Sequence, residues 1–375
     1  MRDIELTNID DIARGAGILG TGGGGDPYVG KLLAEAAITR HGPVRLAAID
    51  EIPEDSVIVP VAMLGAPTVS QEKLPNGTEA LAALRTLEHV TRLTATHLVP
   101  IEIGGMNSLV PLAAAAEIGL PIVDGDAMGR AFPEVPMVLP TLIGVPTSPM
   151  AVADDKGNTL VLNAATNEWS ERMARAVCVA TGCSVFTAST MLTGRQLHDG
   201  LVAGTITLAE RLGATVRTAR AEHTDPVTAV TDLLGGVRLI TGKVIDIDRA
   251  TTGGFARGTA TIAAGRPGND EQLHLSFQNE YLIAQQCNSK VIATTPDLIC
   301  VLDTDTGEPI TTEAIRYGNR VTVIGASGDP RWITPAGLRL VGPRTFGYDC
   351  DYQPLAGQLR SYPGSAIRSS RLSSS

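Results

Sequence analysis

An apolar run at residues 98–103, an Ala-rich helical segment at 109–118 and a second apolar run at 121–123 follow one another closely in this chain. Strand, helix and strand in that order form a crossover, and a crossover of this length returns the second strand parallel to the first. This unit constrains the fold more than any other feature, because parallel strands are buried and need helices packed over them. Further apolar runs at 44–49 and 57–64 supply neighbours, so residues 1–165 are expected to form an α/β domain with a partly parallel sheet. Ahead of them, residues 8–40 read as helix, loop, helix. Ile9, Ile12, Ala13 and Ala16 give the first helix its apolar stripe, and Asp26 followed by Pro27 marks the start of the second as N-cap and first helical residue.

The second half has a different texture. Residues 168–234 carry apolar positions at mixed spacings of three and four and are expected to be helical. From 236 to 350 short alternating segments at 237–240, 243–247, 259–262, 273–283, 298–302 and 321–324 read as strands. A length of 375 residues exceeds what one core usually fills, which sets the expected division at 1–165 and 166–360, followed by a Ser-rich flexible tail at 361–375.

Composition excludes several classes of function. With 43% hydrophobic and 19% charged residues the chain folds around a core. A formal charge of -10 and only 3% aromatics argue against nucleic acid, which needs basic patches and stacking faces. No apolar run is long enough to span a membrane and the acidic N-terminus does not read as a signal peptide, so no membrane partner and a cytoplasmic location are expected. The five cysteines are widely spaced and are expected to be reduced thiols. The Ala-rich helix leaves homo-oligomerisation open.

Three places could carry chemistry. The loop Gly20-Thr-Gly-Gly-Gly-Gly-Asp-Pro27 lacks the lysine of a phosphate loop and the leading strand of a dinucleotide site, which leaves a glycine turn whose amides could hold an anion or carbonyl oxygen. Gly23, Gly24 and Asp26 are its expected contact residues, with a purely structural turn as the equal alternative. Ligands of an open parallel sheet sit beyond the carboxyl ends of the strands. There this chain places Glu102-Ile-Gly-Gly-Met-Asn-Ser108 and Asp124-Gly-Asp126, with Arg130 and Glu134 close behind. Glu102, Asp124 and Asp126 could share one edge, and Asn107 would also serve as N-cap of the intervening helix. In the second half His274, Ser276, Gln278 and Glu280 are expected on one face of a strand, with Leu275, Phe277, Asn279 and Tyr281 on the other. The six histidines show no metal-ligand spacing, so no cofactor and no metal ligands are expected, although a divalent metal stays open. Cys183 is the best placed of the thiols for a nucleophile, but a small buried helical residue is the plainer reading.

These motifs, together with Phe277-Gln-Asn-Glu280 and Val341-Gly-Pro-Arg-Thr-Phe-Gly-Tyr-Asp349, resemble the S-methyl thiohydantoin desulfurase family in order and over most of the chain. The resemblance implies an N-terminal α/β domain and a C-terminal strand-rich domain acting on a hydantoin-like five-membered ring. It also implies hydrolytic removal of the sulfur substituent between the two ring nitrogens, giving a hydantoin and a thiol, and association with hydantoinase-type proteins. Joined to it, the residues read as follows: a carboxylate of Asp124, Asp126 or Glu134 activates water, Arg130 or Asn279 steadies developing charge on the ring, and a protonated acid assists the leaving sulfur, with Glu280 also counted among the catalytic residues. Gly23, Gly24, Asp26, Glu102, Asn107 and Gln278 would contact the substrate. Metal-dependent opening of the ring and a non-catalytic accessory role are the competing readings.

Overall fold

The computed structural model describes residues 1–66, 69, 73–264, 271–287 and 289–355; the expected tail at 361–375 lies outside them. The crossover unit is present. Strand β4 (His97–Pro100), helix α4 (Val110–Ile118) and strand β5 (Ile122–Val123) follow the expected order, and Leu98 pairs in parallel with Ile122. Around them β1 (Arg2–Ile4), β2 (Val44–Ala47), β3 (Val57–Gly65), β7 (Met150–Ala153), β8 (Thr159–Leu162) and β9 (Ser184–Ala188) form a sheet ordered β1-β2-β5-β4-β3-β9-β7-β8, with the short β10 (Leu192–Thr193) also paired to β3. The run β2-β5-β4-β3 is parallel and the rest antiparallel, so the sheet is mixed, as expected for a partly parallel α/β layer.

Helices α1 (Leu6–Leu19) and α2 (Pro27–His41) flank the glycine loop. Ile9, Ile12, Ala13 and Ala16 are buried, and Asp26 caps α2 by accepting the Tyr28 N–H at 2.8 Å. Helix α1 lies against α6 (Thr205–Ala221) so closely that a Cβ on Gly15 would stand 1.8 Å from the Ala209 carbonyl oxygen, and one on Gly213 would stand 1.9 Å from that of Asp11. This backbone-to-backbone crossing fixes the first half of the chain against the second.

The region expected to be helical, 168–234, holds α5 (Asn167–Ala180), α6 and α7 (Pro226–Leu234), but it also contains β9, which pairs with β3 in the first sheet. Residues on both sides of position 165 therefore build that sheet. Ser184-Val-Phe-Thr-Ala188 is buried throughout, and a short apolar run buried on both faces has no period that separates strand from helix.

Seven antiparallel strands form the second sheet, ordered β16-β15-β14-β13-β12-β18-β17. The two segments expected at 237–240 and 243–247 are one long strand, β12 (Val237–Thr252), with bulges after Arg238 and Val244. Its hairpin partner is β13 (Phe255–Ala264). The segment expected as one strand at 273–283 is instead a hairpin of β14 (Gln272–Gln278) and β15 (Glu280–Gln286). The chain reverses at Asn279, whose φ is 59°, so the expected alternation of faces fails at that residue. Strands β16 (Val291–Thr294), β17 (Leu298–Asp303) and β18 (Arg320–Ala326) complete the layer, and Leu298, Cys300 and Leu302 of β17 join the first sheet's hydrophobic core.

The glycine crossing gives a direct expectation. Gly15→Ala should reduce unfolding free energy by about 1–3 kcal/mol through overpacking, measured by urea titration; an unchanged midpoint and slope would show that α1 and α6 are farther apart than described.

Candidate active site

The glycine loop is stitched on both sides by backbone hydrogen bonds. The Tyr281 N–H of β15 donates to the Thr21 carbonyl at 2.8 Å, and the Thr312 N–H, from the connection between β17 and β18, to that of Gly22 at 2.9 Å. From the turn after β4, the Asn107 N–H donates to the Gly24 carbonyl at 3.2 Å and the Met106 N–H to that of Gly25 at 3.3 Å. Two positions need glycine for a stated reason. A Cβ on Gly23 would lie 2.0 Å from Glu280 Oε1, and Gly24, at φ 81°, would place one 2.3 Å from the Gly104 carbonyl carbon. The carbonyls of this loop are thus used for assembly. The amides of Gly24 and Gly25 donate to no acceptor among the described residues, and both residues line a cavity.

That cavity encloses about 640 Å³, part of it open to solvent. Gly24, Gly25, Met63, Glu102 and Asn107 line it from the first half of the chain, Asn279 and Glu280 from the second sheet, with Met128, Phe132 and Met150 as apolar wall and Glu134 and Arg175 as further charged members. Glu102 precedes the turn Gly105–Ser108 and Asn107 lies within it. Asn107 does not cap α4; its Oδ1 accepts the Met63 N–H at 2.7 Å, and its Nδ2 donates to the Met63 carbonyl at 3.1 Å and to Glu102 Oε1 at 2.6 Å. The expected cap is replaced by a brace that fixes one face of the Glu102 carboxyl. Its other oxygen, Oε2, is buried and has no partner, and the same holds for Oε2 of Glu280.

Burial dominates the electrostatics. It lifts the Glu102 carboxyl from the ordinary 4.5 to about 8; Asp126 adds to the rise, while the Asn107 N–H and Arg130 oppose it. Burial holds Glu280 well above the ordinary carboxyl value, with Glu102 and Glu313 adding to that and Arg130 opposing. The two carboxyls therefore resist ionising together.

The other expected residues divide. Glu134 lines the cavity, its carboxyl raised by burial and by Glu171. Asn279 lines it too; its Oδ1 accepts the Ala256 N–H at 2.8 Å. Asp124 does not reach it. Its carboxylate sits at the start of α6, accepting the Thr207 N–H at 3.0 Å and hydroxyl at 2.6 Å. Nor does Asp126 line it: buried and raised to about 7 by burial, it turns Oδ2 onto the amides of Ile103, Met128 and Gly129 at 3.1, 2.9 and 2.7 Å. Arg130 lies outside the cavity lining, with its donors on protein oxygens. Gln278, Gly23 and Asp26 are also absent from the lining, although Gly23 backs Glu280 and Asp26 caps α2. Cys183 occupies the tight turn after α5 at φ 61°, outside both helix and cavity. Burial raises Cys178 to about 11 and Cys300 to about 12, which keeps both as thiols.

Two residues escaped the sequence reading. Arg175 of α5 reaches the cavity because Glu171, one turn earlier, holds its Nε at 2.8 Å and Phe255 lies 4.2 Å beneath the guanidinium. The spacing Glu171-x-x-x-Arg175 was the available signal. Glu313, raised to about 7 by burial and left with Oε1 unpartnered, acts electrostatically on Glu280; nothing in its sequence neighbourhood marks it. Among the described residues no three His, Cys, Asp or Glu side chains gather in a way that could hold a metal ion, and no helix is long and apolar enough to cross a membrane.

The raised Glu102 carboxyl has a measurable sign. The folded chain keeps a proton that the unfolded chain releases, so stability falls as pH rises between 4.5 and about 8, by up to ~1.4 kcal/mol per pH unit for one group. Glu102→Gln should remove that loss, gaining on the parent protein progressively from pH 5 to 8 in urea titrations. A pH-independent difference would mean that Glu102 is ionised in the folded protein.

Comparison with known proteins places this geometry. A solved structure of a protein from Chromobacterium violaceum, determined by a structural-genomics consortium, superposes with a TM-score of 0.77 at 23% identity, covering 95% of this chain and 100% of that one. At that identity the likeness shows the fold. No curated protein matches. Residues 7–164 match the family model described as S-Me-THD-like, N-terminal domain, and residues 165–355 that described as S-Me-THD-like, C-terminal domain. The chain belongs to the S-Me-THD-like family, with a thiohydantoin-related function at the level of the family.

Proposed function

We propose that this protein is a hydrolase that removes the sulfur substituent of an S-methyl thiohydantoin, giving a hydantoin and methanethiol. The observation that carries this reading is the pair Glu102 and Glu280, delivered from the two halves of the chain into one cavity, each with a buried oxygen lacking a protein partner. Family membership supplies the ring. Apolar walls from Met63, Met128 and Phe132 suit a small planar heterocycle and its methylthio group.

The chemistry balances with these two groups. Ionised Glu102 takes a proton from water, whose oxygen bonds to the ring carbon between the nitrogens, while the protonated Glu280 carboxyl gives its proton to the ring nitrogen of the opening C=N bond. As the carbonyl forms, the C–S bond breaks. The thiolate leaves with the proton held by Glu102, and the new hydroxyl returns its proton to Glu280, restoring both carboxyls. Asn107 keeps Glu102 oriented throughout, and the Gly24 and Gly25 amides offer donors to a ring carbonyl. The roles expected for Asp124 and Asp126 pass to Glu102, because Asp124 and Asp126 are held on backbone amides away from the cavity.

Purified protein incubated with S-methyl thiohydantoin should release thiol, read with a thiol-reactive dye. Glu102→Gln and Glu280→Gln should each reduce kcat by about 10²–10⁴-fold, whereas Asp124→Asn should retain turnover if it folds. A parent protein that releases no thiol and co-purifies with a hydantoinase would favour the accessory reading.

A further inference from the structure

Arg130 is 1% exposed, yet it forms no ion pair within 4 Å among the described residues. Its Nε donates to the Ala131 carbonyl at 3.0 Å, Nη1 to the Asp297 carbonyl, and Nη2 to Thr21 Oγ1 at 2.7 Å and to the Tyr281 carbonyl at 3.1 Å. The Phe132 ring, which lines the cavity, lies 4.9 Å from the guanidinium. Four of its five donor hydrogens are therefore committed to neutral oxygens, and the group stays behind the cavity wall. These bonds join the root of the glycine loop, the residue next to Glu280 and the segment leading into β17. A buried cation must find an anion or lose its proton. Burial lowers Arg130 only to about 10, so it remains charged at neutral pH.

The groups that act on it are Glu280, Cys300, Asp297 and Glu102. On the carboxyl side, Glu102 also feels Asp126, and Glu280 feels Glu313, which in turn feels Asp26. Cys300 is held neutral by burial, and Asp297 is raised by burial while accepting from the Gly328 N–H and the Tyr352 hydroxyl. Among these neighbours Arg130 is the cation. We infer that Arg130 is a positioning residue for the proposed hydrolysis: it ties the strand of Glu280 to the glycine loop, and its charge eases the first ionisation of the pair, so that Glu102 can give up its proton while Glu280 keeps one. This rests on the desulfurase reading for its catalytic consequence, but the protonation it describes is a property of the ligand-free protein.

The test uses two readouts. The pH profile of kcat/KM for thiol release should move in Arg130→Met, the rising limb shifting upward by about one unit and activity at pH 7 falling about tenfold, with recovery at higher pH. Arg130→Lys, which keeps the charge, should hold the limb near its original position. Infrared difference spectra of ligand-free, ¹³C-glutamate-labelled protein at pH 8, where Glu102 ionises in the parent, should show more protonated carboxyl in Arg130→Met than in the parent. If Arg130→Met does not fold, Arg130→Gln, which keeps side-chain donors but not the charge, serves: the infrared titration of Glu102 should move to higher pH by about one unit. An equal loss of activity at every pH with unchanged infrared bands would make Arg130 a purely structural clamp, as would an unmoved Glu102 titration in Arg130→Gln. Absence of thiol release by the parent protein would overturn the proposed reaction and leave the infrared titration to decide on Arg130.

Discussion

A guanidinium that keeps its charge at neutral pH, surrounded by carbonyl oxygens and shut away from solvent, sets the terms for the rest of this structure. Arg130 joins the glycine loop, β15 and the entry to β17, and the carboxyls within reach of its field are themselves buried. Desolvation drives each carboxyl toward the neutral acid, and the nearby cation opposes that drive. Burial prevails at both Glu102 and Glu280 and the cation tempers it, leaving Glu102 to ionise at about 8, which makes the seam between the halves of the chain a place where a proton can be held or released.

The glycines serve the same seam. Gly23 is bare because the Glu280 carboxyl fills the space a side chain would occupy, and Gly24 is bare because the backbone at Gly104 does. Hydrogen bonds from Tyr281, Thr312, Met106 and Asn107 spend the loop's carbonyls on holding three segments together, which leaves amides at Gly24 and Gly25 toward the cavity. The loop is therefore both a structural turn and a candidate set of donors, the two readings that its sequence left side by side.

How much of this was legible in the sequence varies with the length scale of the signal. The β4-α4-β5 crossover, the helix pair around the glycine loop and the Asp26-Pro27 cap were readable because each depends on residues close in sequence. Strand β9 was not, because an apolar run buried on both faces carries no period, and the reversal at Asn279 was not, because a single left-handed residue breaks an alternation without any glycine or proline to mark it. At the site, Glu102, Asn107, Glu134, Asn279 and Glu280 were identified and do line the cavity, since they lie at strand ends and turns. Asp124 and Asp126 share that location in sequence, but Thr207 of α6 takes both oxygens of Asp124, and amides that include those of the turn after β6 (Gly125–Asp126) take Oδ2 of Asp126. Which carboxylate is free and which is spent on the backbone is decided by tertiary contacts. Arg175 and Glu313 illustrate the converse: each arrives from an element whose local pattern speaks only of a helix face or a loop.

The central claim is that Glu102 and Glu280 work on one ring in one cavity. A crystal structure of the Glu102→Gln variant soaked with S-methyl thiohydantoin tests it most directly. The account expects the ring between the two side chains, its carbon between the nitrogens nearest residue 102 and a ring nitrogen within hydrogen-bond distance of Glu280 Oε2. A ring seated elsewhere, against Asp124 or outside the cavity lined by Gly24, Met63 and Asn279, would contradict it.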